Sequence, residues 1–166
     1  MATGLFLICS ETGVRETIPM VPVGFVRGGR VAAQDDGWDA VEAAIELDAR
    51  FGPEALVGLA AFSHVEVLFY FHAATAAVET GARHPRGNTD WPRVGIFAQR
   101  GKDRPNRIGA TICRILAVEE TVLRVAGLDA IDGTPVLDIK PVMKGFLPRG
   151  EVREPGWAGV LMQSYW

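Results

Sequence analysis

Residues 108–141 read IGATICRILAVEETVLRVAGLDAIDGTPVLDIKP, and three short strands account for most of them. Val, Ile, Leu and Thr crowd residues 108–118, 122–128 and 136–139, and these types fit a pleated, half-buried surface. Asp132-Gly133-Thr134-Pro135 is a strong turn signal before the last of them. Working outward, residues 94–98 form another candidate strand, preceded by a loop over 80–92 (TGARHPRGNTDWP) marked by Gly, Pro and Asn. Residues 64–71 (HVEVLFYF) suit a strand buried on both faces, and 56–59 a shorter β-rich piece. The first strand spans 21–26, opened by Pro19 and Pro22 and closed by Gly28-Gly29. One segment differs. Over 36–51, Trp38, Val41, Ile45 and Ala49 recur at helical spacing, Asp36 or Asp39 can cap the start, and Gly52-Pro53 ends the run. Repeated short strands with a single helix predict a mainly β protein, a closed antiparallel β-barrel with one inserted α-helix. Residues 1–18 read as a loosely ordered N-terminal arm, and 19–166 as one domain.

Composition narrows the class. The chain has 166 residues, 48% hydrophobic and 22% charged, which excludes global disorder. A core of this size needs neither disulfides nor a structural metal. Its two cysteines, Cys9 and Cys113, cannot supply four zinc thiolates and do not read as a secreted scaffold, so a reducing cytoplasm is expected. The apolar run at residues 5–9 is too short for a signal peptide, and no run reaches the ~18 residues of a membrane helix. The formal net charge of -3 argues against a surface that grips nucleic acid all over. Any RNA partner must meet a local patch.

Several fingerprints are missing. No G-x-G-x-x-G follows a strand, so the Rossmann reading loses its main support, and no G-x-S-x-G elbow exists. Residues 95–102 imitate a phosphate loop, but Asp103 stands where Ser or Thr should bind magnesium. His64, His72 and His84 are not at helical ligand spacing, and no cysteine is near, so no metal site is expected.

Two constellations stand out. Between Gly81 and Arg114 lie eight basic residues (Arg83, Arg86, Arg93, Arg100, Lys102, Arg104, Arg107, Arg114) against Asp90 and Asp103. Such a cluster suits an anion-binding face, or simply a solvated loop surface. Pro105 holds Arg104 extended, and Gly109 is read as letting a ligand approach the backbone. The second runs over 127–141, where Asp129 and Asp132 bracket Ala130-Ile131. Asp138 and Lys140, two apart in a strand, share a face as a structural ion pair or as part of a site.

These residues carry a resemblance. Phe62-Ser63-His64, Gly95-Ile96-Phe97-Ala98, Arg104-Pro105-Asn106 with Ile108-Gly109, and Leu128-Asp129 through Asp132-Gly133-Thr134-Pro135 to Asp138-Ile139-Lys140-Pro141 resemble the TsaA-like family, which includes the TrmO tRNA methyltransferases. The resemblance covers roughly residues 20–145. It implies a barrel unlike the Rossmann methyltransferases, a homodimer, and S-adenosyl-L-methionine held at the barrel edge near the subunit contact. It also implies methylation of N6 of threonylcarbamoyladenosine beside the tRNA anticodon. By position, the donor contacts fall on Gln34, Ser63, His64, Arg100, Ala110, Leu128, Asp129, Asp132 and Gly133. Asp129 suits ribose hydroxyls, and an Arg suits the donor carboxylate. For His64 a satisfied strand-start histidine is an equal alternative. The acceptor's N6 proton is assigned to Asp138 with Lys140 orienting it, or to Asn106 or a backbone carbonyl. Chemical inference beyond the resemblance places Arg83, Arg86, Arg104, Asn106 and Arg107 on the tRNA side. The chain departs from the family pattern at Gln99 and Arg107, at Ala32-Ala33 before Gln34, and in ending about 25 residues after the last motif, where full-length members continue. A methyltransferase for a small molecule or another RNA, or a non-catalytic donor-binding module, are the alternatives.

Overall fold

The structure is a computed structural model and describes residues 17–166. All but the last two residues of the expected N-terminal arm, and Cys9, lie outside the described residues. The described residues form eight strands: β1 (Gly24–Arg27), β2 (Glu42–Leu47), β3 (His64–Tyr70), β4 (Ala82–Arg83), β5 (Val94–Gly95), β6 (Ile108–Glu119), β7 (Val122–Ala126) and β8 (Pro135–Pro141). Six of them close an antiparallel barrel in the order β1-β2-β7-β6-β3-β8, while β4 and β5 pair separately. Closure leaves this barrel without a free sheet edge.

The helix expected over 36–51 is not there. Residues 42–47 are strand β2, which pairs with β1 (Val26↔Ile45) and with β7 (Ile45↔Leu123). Val41, Ala43, Ile45 and Leu47 fit period two as well as Val41 and Ile45 fit a helix, and pairing on both sides decides between them. Trp38, 3% exposed, belongs to the irregular segment before the strand, with the Arg30 guanidinium 4.4 Å above its ring. The α-helix among the described residues is instead α1, Gly156–Met162. Residues 56–59 are not strand either, since 3₁₀ turns span Pro53–Leu56 and Leu59–Ala61. Residues 94–98 begin as β5 and continue into a third such turn, Ile96–Ala98. Strand β3 is where it was expected, but it buries one face: Val65, Val67 and Phe69 point inward while Glu66, Leu68 and Tyr70 are half-buried outside.

Val26, Ile45, Val65, Val67, Leu123, Val125, Leu128 and Val136 have no exposed surface and fill the barrel. Each contributes ~1.5–3 kcal/mol by leaving water. Strands β7 and β8 are not neighbours in the barrel, so residues 127–134 must cross its end. Three backbone hydrogen bonds tie that crossover to the mouth: Gly127 N–H to Val41 O at 3.0 Å, Asp132 N–H to Arg30 O at 2.7 Å and Gly133 N–H to Val26 O at 2.8 Å.

Candidate functional site

The crossover places Asp129 at the barrel mouth between two hydroxyl donors. Thr111, inward-facing on β6 and 5% exposed, donates to Oδ1, and Tyr165 donates to Oδ2 at 2.5 Å. Burial, reinforced by the Asp129 charge, pushes the Tyr165 hydroxyl well above its ordinary range, so it stays protonated and can only donate here. A carboxylate has about four lone-pair sites, so two remain for a ligand. Neither Thr111 nor Tyr165 was found from the sequence. Strand alternation could have placed Thr111, whereas Tyr165 stands in a tail with no motif.

Around Asp129 the chain is pinned on both sides. Asp132, exposed, accepts the Gly28 N–H at 2.8 Å and so staples the crossover to the turn after β1. Gly133 takes φ +78°, the left-handed conformation that the turn requires. Gln34 is exposed in the irregular segment between β1 and β2. That segment is held by Arg30, whose guanidinium donates to Asp36 O at 2.6 Å and Gly37 O at 2.5 Å. Arg86 reaches it from the other side, donating to the Asp36 carboxylate at 2.7 and 3.1 Å. The Arg86 hydrogen bond holds the Asp36 carboxyl below the usual carboxylate range.

Most arginines of the basic cluster are engaged locally. Arg83 pairs with Asp103 at 3.4 Å, Arg93 donates to Ala82 O at 2.7 Å, and Arg100 donates to Ala110 O at 2.5 Å. Arg104 donates to Gln99 O at 3.0 Å and Arg107 to Ala76 O at 3.0 Å. The reason is general: an irregular segment leaves carbonyls without ladder partners, and guanidinium forks satisfy them. Among the described residues Lys102 and Arg114 hold no such partner, and both are exposed. Asn106 and Arg107 sit at φ 62° and 49°, an uncommon conformation for side-chain-bearing residues. Arg104 is extended before Pro105, as expected. Gly109 corrects an expectation: a Cβ there would lie 2.4 Å from the Phe69 ring, so the glycine admits a core side chain, not a ligand.

Asp138 and Lys140 are in contact as an ion pair, half-exposed on the outside of β8, and Asp138 also accepts the Ile139 N–H at 2.9 Å. Leu137 is an extra residue in the β3–β8 register, a bulge that turns the strand beside Asp138. No hydrogen bond or ion pair among the described residues joins this pair to Asp129. At the start of β3, the Oγ of Ser63, just before the strand, lies 2.8 Å from His64 Nδ1, and His64 faces Arg114 across the ladder. His64 lines a cleft of about 170 Å³ with Asp39, Cys113, Arg114, Gly127 and Trp166. The cleft and the Asp129 network adjoin through Gly127 and Tyr165-Trp166. No group of three His, Cys, Asp or Glu among the described residues is placed to hold a metal ion, and no helix there is long and apolar enough to cross a membrane.

The fold is thus a closed non-Rossmann barrel whose crossover carries an acid at its mouth. The chain belongs to the tRNA-methyltransferase O N-terminal domain family, whose model matches residues 25–146. It is 38% identical over 123 residues to a probable S-adenosyl-L-methionine-binding protein of Methanothermobacter thermautotrophicus, covering 72% of this chain and 86% of that one. It is 39% identical over 102 residues to a human tRNA (adenine(37)-N6)-methyltransferase, covering 61% of this chain and 23% of the human protein. The crystal structure of TrmO from Pseudomonas aeruginosa superposes with a TM-score of 0.66 at 33% identity, covering 83% of this chain and 62% of that one. The chain thus spans under a quarter of the human relative.

Proposed function

We propose that the chain is an S-adenosylmethionine-dependent methyltransferase acting on N6 of threonylcarbamoyladenosine next to the anticodon of tRNA. The observation that carries this reading is Asp129, held by Thr111 and Tyr165 on the crossover of a family named for tRNA methyl transfer. The residues at the mouth fit the donor. Asp129 offers acceptor sites for ribose hydroxyls, while Leu128, buried, and Gly133, whose N–H is bonded to Val26 O, hold the crossover that carries it. Gln34, Ser63 and His64 would add donor contacts, while Arg100 through Ala110, and Asp132 through Gly28, would act by fixing the loops they staple.

When bound, S-adenosylmethionine supplies an electrophilic methyl group on a sulfonium whose positive charge is lost in the transfer. The protein's part is alignment and exclusion of water, because well-oriented groups gain effective molarities of about 10⁵ M or more. The Asp138 carboxylate would hold the acceptor's N6 proton, with Lys140 orienting it. Arg83, Arg86, Arg104, Asn106 and Arg107 would border the tRNA and the threonyl carboxylate. A homodimer would cover Ile112 and Leu116, 48% and 44% exposed on β6, and the cytoplasm is where such a substrate resides. One observation favours a smaller acceptor: most of the basic cluster is already engaged within the chain.

The test is incubation with threonylcarbamoylated tRNA and S-adenosylmethionine, followed by mass spectrometry of the nucleosides. One added methyl group on threonylcarbamoyladenosine, lost in Asp129→Ala, is expected. Donor binding without transfer to any tRNA would leave the small-molecule acceptor or the binding module.

A further inference from the structure

We infer that the segment from Gly156 to Trp166 completes the site, with the Trp166 indole as the stacking wall for a purine ring in the cleft beside His64 and Gly127. The cleft, about 170 Å³, is below the ~300 Å³ of a pocket that encloses a whole small ligand. It is sized for one planar ring with the rest of the molecule outside. Its walls suit such a ring. Trp166 supplies a π face, the His64 imidazole is held by Ser63 Oγ at 2.8 Å, and buried Cys113 gives an uncharged floor. Asp39, exposed at the rim, is a carboxylate acceptor of the kind an exocyclic amine requires.

The wall is also anchored. Trp166 packs edge-to-face on Tyr165, centroids 4.9 Å apart at 83°. Tyr165 is fixed by its hydroxyl to Asp129 and by the Arg86 guanidinium 5.9 Å from its ring centroid. Two backbone bonds dock the segment on the β1–β2 connection, Gly37 N–H to Ser164 O and Trp38 N–H to Tyr165 O, both at 2.9 Å. Farther back, Trp157 lies 6.3 Å from Trp91. Trp166 itself is 48% exposed, and the anchoring of its neighbours lowers the rotamer entropy that stacking a base costs. Gly127 in the cleft is two residues from Asp129, which places a base site beside an acceptor for sugar hydroxyls. The segment lies beyond residues 25–146, so the family match does not bear on it.

The purine can come from the methyl donor, in which case the inference rests on the function proposed above, or from the RNA. The full-length chain is titrated by calorimetry with adenosine, with S-adenosylhomocysteine and with an anticodon stem-loop RNA. Trp166→Ala and Trp166→Leu should weaken the purine-bearing ligand by about five- to a hundredfold, the loss expected for one stacked base, with Trp166→Phe within about threefold of the parent. Trp166→Leu keeps apolar bulk, so it tests stacking where Trp166→Ala unfolds. Trp166-dependent binding of adenosine and S-adenosylhomocysteine supports the donor as source. Trp166-dependent binding of adenosine or RNA, without S-adenosylhomocysteine, supports the cleft while ending the donor reading. Parent-like affinity of both variants for every probe that the parent binds, S-adenosylhomocysteine among them, overturns the inference and leaves the proposed function standing. No binding of any probe by the parent overturns both.

Discussion

Cys113 lies on β6, 2% exposed, beside the Asp129 carboxylate. Burial, with that negative charge, pushes its thiol up to about 12 from an ordinary 9.0. Because the folded value lies above the unfolded one, the thiol favours the folded state fully below pH ~9. That contribution is lost as pH rises toward 12. Stability should therefore decline between pH 9 and 11, with Cys113 adding at most about 1.4 kcal/mol per pH unit for its one proton. Urea melts across that range should show a shallower decline in Cys113→Ser, since the hydroxyl does not titrate there. Tyr165 shifts in the same direction, so the decline should not vanish. An equal slope in parent and variant would refute the assignment. Nothing in the sequence around Cys113 signals this, because the shift comes first from burial in the closed barrel and then from a carboxylate sixteen positions away in the chain that the crossover brings alongside.

Between elements, β6 and β3 pack closely at Gly109. A Cβ built there would meet the Phe69 ring at 2.4 and 2.5 Å, and Phe69 itself is 1% exposed in the core. The ring also packs edge-to-face on Phe71 with centroids 5.2 Å apart, so it cannot retreat freely. Gly109→Ala should destabilise the barrel by about 1–3 kcal/mol, the usual cost of overpacking, read as a lower denaturant midpoint at unchanged m-value. A neutral result would mean that β6 and β3 separate easily. The glycine was legible in the R-P-N-x-I-G motif, but its reason was not: the ladder that sets Phe69 opposite it is a pairing across 40 positions. The segment over 36–51 teaches the same lesson. Its pattern satisfies two periods, and only the neighbours β1 and β7 select the strand.

Across the whole molecule, the basic excess between Gly81 and Arg114 divides into staples and free charge. Lys102 is exposed and has no ion-pair partner among the described residues, whereas Arg83 and Arg86 already hold Asp103 and Asp36. If tRNA binds this face, Lys102→Ala should flatten the log–log salt dependence of binding by about one unit. Arg83→Ala and Arg86→Ala should each change it less, and Arg83→Ala should lower stability by leaving the largely buried Asp103 unpaired. Filter binding at several salt concentrations measures the slopes. A Lys102→Ala slope equal to the parent's would remove this face from the RNA contact.

By itself the sequence determined the barrel class, the positions of β3 and β6 to β8, the turn at Asp132-Gly133, and the family, because alternating apolar residues and turn chemistry are local properties. It also placed Asp129 among candidate ligand contacts. Only the tertiary structure decided that 42–47 is a strand, that Gly109 makes room for Phe69, and that most clustered arginines cap carbonyls. It alone brought Thr111 and Tyr165 onto Asp129, and Trp166 and His64 into one cleft. Those facts depend on closure of the barrel and on a crossover over its end, which set side by side residues whose separation along the chain leaves no periodic trace.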